Sequence, residues 1–529
     1  MIPKATRVLL TLGLLLGLVA AGIGSESVQA SAVAESRLYF PWMPSGAVLS
    51  HSEAFSDSGP YYGSITVQNL ENEQIVLYYQ ATNGESFGVI GDFQSTLVAA
   101  YGARTFTPQQ FQLDETVEGT GVVFIARKFS DTSLPARISG VQKQAAAKPI
   151  DVDAKTDGGH LTVGGYTGLR SLSNGPVVRL PIVQTNSNWN TVIRATNFEP
   201  YEATAKINLT LREAGGGSEL SFDETVNSGG TATFDLLALG VPLDWIGSAV
   251  ISSDEIVSVV AERFKNETGM LIMNSGQRAA NAASVSYLPL VLRDWFGWNT
   301  GISLLNPHEV PVNATVSFYA MDGELVDSEV VTLPASGMDF VYMPAGDGAP
   351  FVGSGVVSSE GHLLGAIDEV KYTGDPAEGA GHAMSYMMQP DLAYPGQQLS
   401  MPLYQKGNPE TGGGNTSGVQ LFNPTNTTVT YGYSFFDQFG NMMPIPAGPA
   451  PTLGPGENTT IYAMELAQLP DGFNGSMIVG VHSGGALTGI SNNVNYDVQL
   501  DGSASFNMTV LGVPDDPDPP DPPNGFITP

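Results

Sequence analysis

Apolar and polar positions alternate with a period of two along much of this chain, and one larger pattern is laid down four times. Each round opens on a short apolar run holding a proline: Leu38-Tyr39-Phe40-Pro41, Arg179-Leu180-Pro181-Ile182, Tyr287-Leu288-Pro289-Leu290 and Ser400-Met401-Pro402-Leu403. Proline offers no N–H to a ladder, so the run predicts a strand at a sheet edge or one that switches sheets. A second strand then ends on Asn69, Asn197, Asn306 or Asn423. Asparagine accepts left-handed geometry and bonds its own backbone two residues on, which predicts a strand stop and a turn.

The third strand has one apolar face, built from Val312, Ala314, Val316 and Phe318 in the third round and from Val429, Tyr431, Tyr433 and Phe435 in the fourth. That is the pattern of a half-buried antiparallel strand. A small-residue step follows at Gly119-Thr120-Gly121, Gly247-Ser248, Gly353-Ser354-Gly355 and Gly475-Ser476. It predicts a bulge or a close backbone approach. A hairpin closes the round, with 365–372 returning as 382–388 and 489–496 returning as 503–510.

The prolines recur at intervals of roughly 110 to 140 residues, too long for a solenoid or propeller repeat and suited to one sandwich domain each. The expected fold is therefore all-β, with four tandem antiparallel β-sandwich domains in a row. Their boundaries fall at 37–172, 176–283, 285–394 and 398–512. The first is the most divergent, with extra sequence around 93–112 and an irregular tail over 142–172. Composition agrees: 62 Gly and 36 Pro against 14% charged residues describe many short strands joined by turns.

The ends set the expected compartment. Lys4 and Arg7 precede an apolar Leu-rich run, and small residues before Ala30 offer a cleavage site, so 1–30 is expected to be a secretory signal peptide. The protein is then secreted, extracellular or at the cell surface, with no membrane insertion after cleavage. Residues 513–529 form an acidic Pro-rich tail that cannot pack a core. With 21 Lys+Arg against 52 Asp+Glu the net charge is −31. Such a surface repels nucleic acid and anionic lipid. No cysteine is present, so the modules must hold together by packing alone.

The third round carries a resemblance. Its Tyr287-Leu288-Pro289-Leu290-Val291-Leu292-Arg293 opening, followed by Trp298-Asn299-Thr300 and a strand ending at Asn306, resembles repeat domains of large secreted proteins of filamentous green non-sulfur bacteria. The resemblance implies immunoglobulin-like sandwiches at a cell surface, and implies no reaction.

The search for chemistry narrows to two places. No Gly-x-Ser-x-Gly elbow exists, and the six histidines follow no repeat. Paired acids of a polysaccharide-degrading enzyme remain the less favoured alternative. Asp151, Asp153 and Asp157 are spaced as a weak calcium candidate, but Lys155, Thr156 and Thr162 stand where an EF-type loop needs an oxygen ligand, Gly and Glu. Trp295, Phe296 and Trp298 cluster in one turn and offer aromatic faces to a glycan or partner. Trp189 matches Trp298, so that position reads as a packing plug, whereas Trp295-Phe296 has no counterpart. The expected function is a secreted structural or adhesive protein, not an enzyme, with cell-surface proteins or glycans as partners. A carbohydrate-binding array is the alternative.

Overall fold

The computed structural model describes residues 36–47, 61–82, 93–113, 118–146, 163–169, 173–199, 203–265, 268–343, 348–372, 381–407, 414–444, 449–495 and 501–512. The expected signal segment and acidic tail lie outside them. Among the described residues the regular structure is strand and short 3-10 turns, and the ladders between strands are antiparallel. The chain from Val33 onward forms one compact unit.

The four proline strands are Arg37–Ala47, Gly175–Gln184, Ala283–Arg293 and Gln398–Lys406. Each pairs with the strand that starts at the small-residue step, and each ladder slips at the proline: between Phe40 and Met43, Leu180 and Val183, Leu288 and Val291, Met401 and Tyr404. The missing N–H thus falls in a bulge, where no ladder bond is required. The step itself is a close approach. A Cβ at Gly353 would sit 2.1 Å from the carbonyl oxygen of Tyr319, and one at Gly475 equally close to that of Phe436.

One long strand serves both sheets of the second and third rounds, Ile246–Lys265 and Phe351–Lys371. Its first half pairs with the proline strand and the third strand, its second half with the second strand and the closing strand. In the outer rounds the same path is broken in two, as Gly119–Lys128 with Ile138–Ala146 and as Phe473–Gly484 with Thr488–Val494. The first round is therefore more regular than its sequence suggests. Its expected insertion contains two strands, Gln94–Val98 and Ala103–Phe106. Its irregular tail contains a closing strand, Val163–Thr167. Glycine at 164 and 165 had hidden that strand's apolar alternation.

The strand-ending asparagines are fully buried clamps. Asn306 Oδ1 accepts from the His308 backbone N–H (3.0 Å), while its Nδ2 donates to the carbonyls of Val310 (2.7 Å) and Pro334 (2.9 Å). Asn423 does the same with Thr425, Thr427 and Leu453, and Asn69 with Glu71, Glu73 and Val98. Asn197 binds Glu199 and Ala203. The side chain ends the strand and also ties down a second, distant loop.

The expected row of domains is corrected by how the rounds pack. The proline strand of the first round lies on the second sheet of the second round, that of the second on the third, that of the third on the fourth, and that of the fourth on the first. The closing strands Val163–Thr167, Met270–Ser275, His382–Met387 and Ser503–Asn507 pack on one another in the same order, the last returning to the first. Cores merge across these joints. Phe264, Leu271 and Met273 of the second round belong to the first round's core, and Ile490 of the fourth to the third's. The four rounds close into a ring because each second sheet has an outer face that must be covered.

Replacing Asn306 by Ala should orphan the Val310 and Pro334 carbonyls and cost about 2–3 kcal/mol in urea unfolding, with Asn306→Asp no better because its second carboxyl oxygen would face both carbonyls. A loss below about 0.5 kcal/mol would remove the clamp as a source of stability.

Candidate functional site

Two arrangements stand out, a buried polar collar between the rounds and an exposed aromatic turn. The collar follows from register. Counted from the clamp asparagine, the long strand carries Gln144, Arg263, Glu369 and Asn493 at one level, and Lys143, Glu262, Asp368 and Asn492 one residue earlier. A residue of the first set reaches one of the second set in the next round. Gln144 Nε2 donates to Glu262 Oε1 (2.8 Å), and the Arg263 guanidinium donates twice to Asp368 (2.5 and 2.8 Å). Lys143 Nζ donates to Asn493 Oδ1 (2.6 Å) and Asn415 Oδ1 (2.8 Å), joining the first round to the fourth. At the remaining joint Gln389 donates to Gly489 O (3.1 Å) and accepts from Thr488 Oγ1 (2.6 Å).

Burial dominates the protonation of this collar. It pulls the Lys143 amine down to about 7. It pushes Glu369 well above the usual carboxylate range; the Thr300 hydroxyl, at 2.9 and 3.0 Å, pulls back, and nearby Asp368 pushes further up.

One residue touches all four rounds. Asp501 is fully buried, and its Oδ2 accepts from the backbone N–H groups of Leu271 (3.1 Å) and Ala383 (3.0 Å). Its Oδ1 accepts from Ser503 N–H (3.1 Å) and Ser503 Oγ, with His382 Nδ1 at 3.6 Å. Its own carbonyl accepts from Val163 N–H (2.6 Å). Burial raises its pKa, against the pull of His382, Ser503 and Leu271. The donors and acceptors of the collar are thus directed at neighbouring rounds. It is a joint.

The aromatic turn is different. Trp295 and Phe296 are 39% and 78% exposed, with rings edge to face at 5.2 Å. Backbone bonds between Trp295 and Trp298 (3.0 and 3.2 Å) and from Asp294 N–H to Asn299 Oδ1 (2.9 Å) hold the turn. Asp294 and Phe296 have φ of 49° and 50°. The second round makes its turn with Ser187 and Asn188 at φ 51° and 63°. Counted back from the matching tryptophans, Ser187 takes the place of Phe296 and Asn188 that of Gly297, so both turns are left-handed there and the third puts a bulky Phe where the second has Ser. Trp298, grouped with these two by sequence, is corrected: it is buried, and its ring stacks on His382 at 6.0 Å, leaving no face for a ligand. Its counterpart Trp189 is buried with Met270, Ile272 and Ala383, at the joint of second and third rounds.

Asp151, Asp153 and Asp157 lie outside the described residues. The collar was missed at the sequence level, although a signal existed. Charged or amide pairs interrupt the apolar closing segments, as in Ala261-Glu262-Arg263-Phe264 and Ile367-Asp368-Glu369-Val370.

The fold and its sites define an all-β protein of repeated, ring-packed antiparallel sheets. No family model matches the chain, and no curated protein matches it. Among solved structures, the crystal structure of Thermotoga maritima 1070 is similar at 15% identity, covering 19% of this chain and 92% of its own, with a TM-score of 0.18. A tetra-tandem repeat in the extending region of a large adhesion protein is similar at 13% identity, covering 85% and 95%, with a TM-score of 0.09. Neither score carries an argument.

Two substitutions test the site. Because the folded pKa of Glu369 lies above its unfolded value, the native state holds an extra proton, and its contribution to stability falls as pH rises from about 4.5. Glu369→Gln should match the parent in thermal unfolding near pH 4.5 and exceed it by ~1 kcal/mol or more at pH 8. Parallel curves would show that Glu369 folds ionised. Phe296→Gly should stabilise by about 1 kcal/mol by relieving the left-handed strain. A destabilised variant would mean that Phe296 packs productively.

Proposed function

We propose that the chain is a secreted, non-catalytic adhesive or structural protein of a bacterial cell surface or matrix. Its four rounds, read as immunoglobulin-like sandwiches, form a rigid ring that presents the Trp295–Phe296 turn to a cell-surface protein or glycan. The observation that carries this reading is a bulky, exposed aromatic at a left-handed position that the second round fills with Ser187. Strained backbone persists where the surroundings over-determine it, and it concentrates at functional sites. Here the strained residue is also the most exposed aromatic of its round. The expected signal peptide and the net charge of −31 suit an extracellular protein. The closed ring would supply, without cysteine, the cross-bracing that disulfides give other secreted proteins. An extended spacer role does not suit rounds that bury their sheets against one another.

Retention of the purified chain on producing cells and their matrix tests the reading. The Trp295→Ala, Phe296→Gly double variant should be retained roughly tenfold less, as expected when an aromatic anchor is lost. Equal retention of variant and parent would refute it.

A further inference from the structure

A second set of exposed aromatics lies where the third round meets the second. Phe340 and Tyr342 sit two apart on the edge strand Met338–Tyr342 and are 45% and 52% exposed; Tyr372, just past the strand Phe351–Lys371, is 53% exposed. Register fixes their line. Phe340 is opposite Ser303 and Tyr342 opposite Gly301, which is itself opposite Asp368. Tyr372, four residues beyond Asp368, shares its face, one step past the Trp298–Lys371 pair. The three rings therefore take levels 303, 301 and 297 along the strand Trp298–Leu305, a diagonal of roughly 20 Å at ~3.3 Å per residue.

Phe340 is particular to the third round. At the level of Phe340 the other rounds hold Thr105, Thr233 and Thr460. Each of these threonines is bonded to a neighbour, respectively Thr66, Arg194 and Gln420. At the level of Tyr342 the second round holds Asp235, while the fourth repeats the pair as Tyr462 opposite Gly418. The strip is also held in place. Tyr372 meets the Trp189 indole of the second round, with Lys265 Nζ 5.7 Å from both rings. Beside Tyr342 the floor is open, since a Cβ on Gly301 would meet only the Tyr342 ring, at 3.9 Å.

We propose that Phe340, Tyr342 and Tyr372 form a binding platform for an extended neutral polysaccharide, each ring stacking on the apolar face of one sugar. A row of rings on a rigid strand matches a linear ligand, and the tyrosine hydroxyls and the Lys265 amine supply polar contacts at its margin. The net charge of −31 opposes a polyanion. An added β-strand is a poor occupant, because the Asp339 carboxylate already caps the Phe340 N–H (2.8 Å) on that edge. The platform uses residues other than the Trp295–Phe296 turn and stands apart from the reading of that turn.

Affinity electrophoresis of the full chain through gels holding soluble glucans, xylan or galactomannan, with alginate and dextran sulfate as anionic polymers, tests the proposal. At least one neutral polymer should retard the parent, and the anionic ones should not. Phe340→Thr, which copies the other three rounds, and Tyr342→Ala should each weaken the effect about tenfold, the loss expected for one stacked ring. Tyr342→Phe should keep most of it, and Phe439→Ala, at an exposed turn of the fourth round, all of it. The proposal is overturned if no neutral polymer retards the parent, if only anionic polymers do, or if Phe340→Thr and Tyr342→Ala migrate as the parent does. Polymer binding that survives without retention on cells would leave the platform standing and remove the adhesive reading of the turn.

Discussion

A ring of sheets has to satisfy the edges that face its own centre, and Asp501 shows how this one does it. The closing strands are edge strands, whose unpaired N–H groups cannot be left buried and bare. Asp501 takes those of Leu271 and Ala383, from two different rounds, and gives its own carbonyl to Val163 of a third. Asn507, at the far end of the same strand, binds both N–H (3.0 Å) and carbonyl (2.7 Å) of Met387. The fourth round therefore supplies the caps that the other rounds lack. A buried carboxylate is costly alone, and the donors converging on it are what make its burial tolerable.

The collar extends the same logic. A buried ion pair or amide contact adds little net stability over a well-packed apolar one. What it adds is discrimination. Four similar sheets covered only by Val, Ile and Leu could be paired in several orders. Gln144 with Glu262, Arg263 with Asp368, and Lys143 with Asn493 make three joints chemically different. Exchanging two neighbours would bury a charge against the wrong partner, a cost of several kcal/mol on the order of any mismatched buried charge. The order of rounds along the chain and around the ring is thus written in polar residues, on an apolar ground that is nearly the same each time.

Much of a single round was legible in the sequence, because its signals are local. Proline at the bulge, Asn at the strand stop and glycine at the close approach each act within a few residues. The alternation of Val312, Ala314, Val316 and Phe318 gave the third strand for the same reason. The ring was not legible, since it depends on contacts between residues as far apart as Lys143 and Asn493. No period along the chain encodes such a pair. Trp298 shows the same limit. Its match with Trp189 marked a packing position, but that it packs against His382, 84 residues on, no local signal encodes.

Repetition then separates what the ring needs from what it does not. Positions such as Asn306, Pro289 and Gly353 recur with the fold and are consumed by it. The third round departs from its copies at two exposed places, and both departures replace cheap polar residues by aromatics. Asn186-Ser187 gives way to Trp295-Phe296, and Thr233 gives way to Phe340. Neither change improves packing, for the side chains face water. A fold that already closes with asparagine, serine and threonine at these positions has no structural use for the rings of Trp295, Phe296 and Phe340. Their presence on one round of four is best accounted for by something outside the chain that they touch.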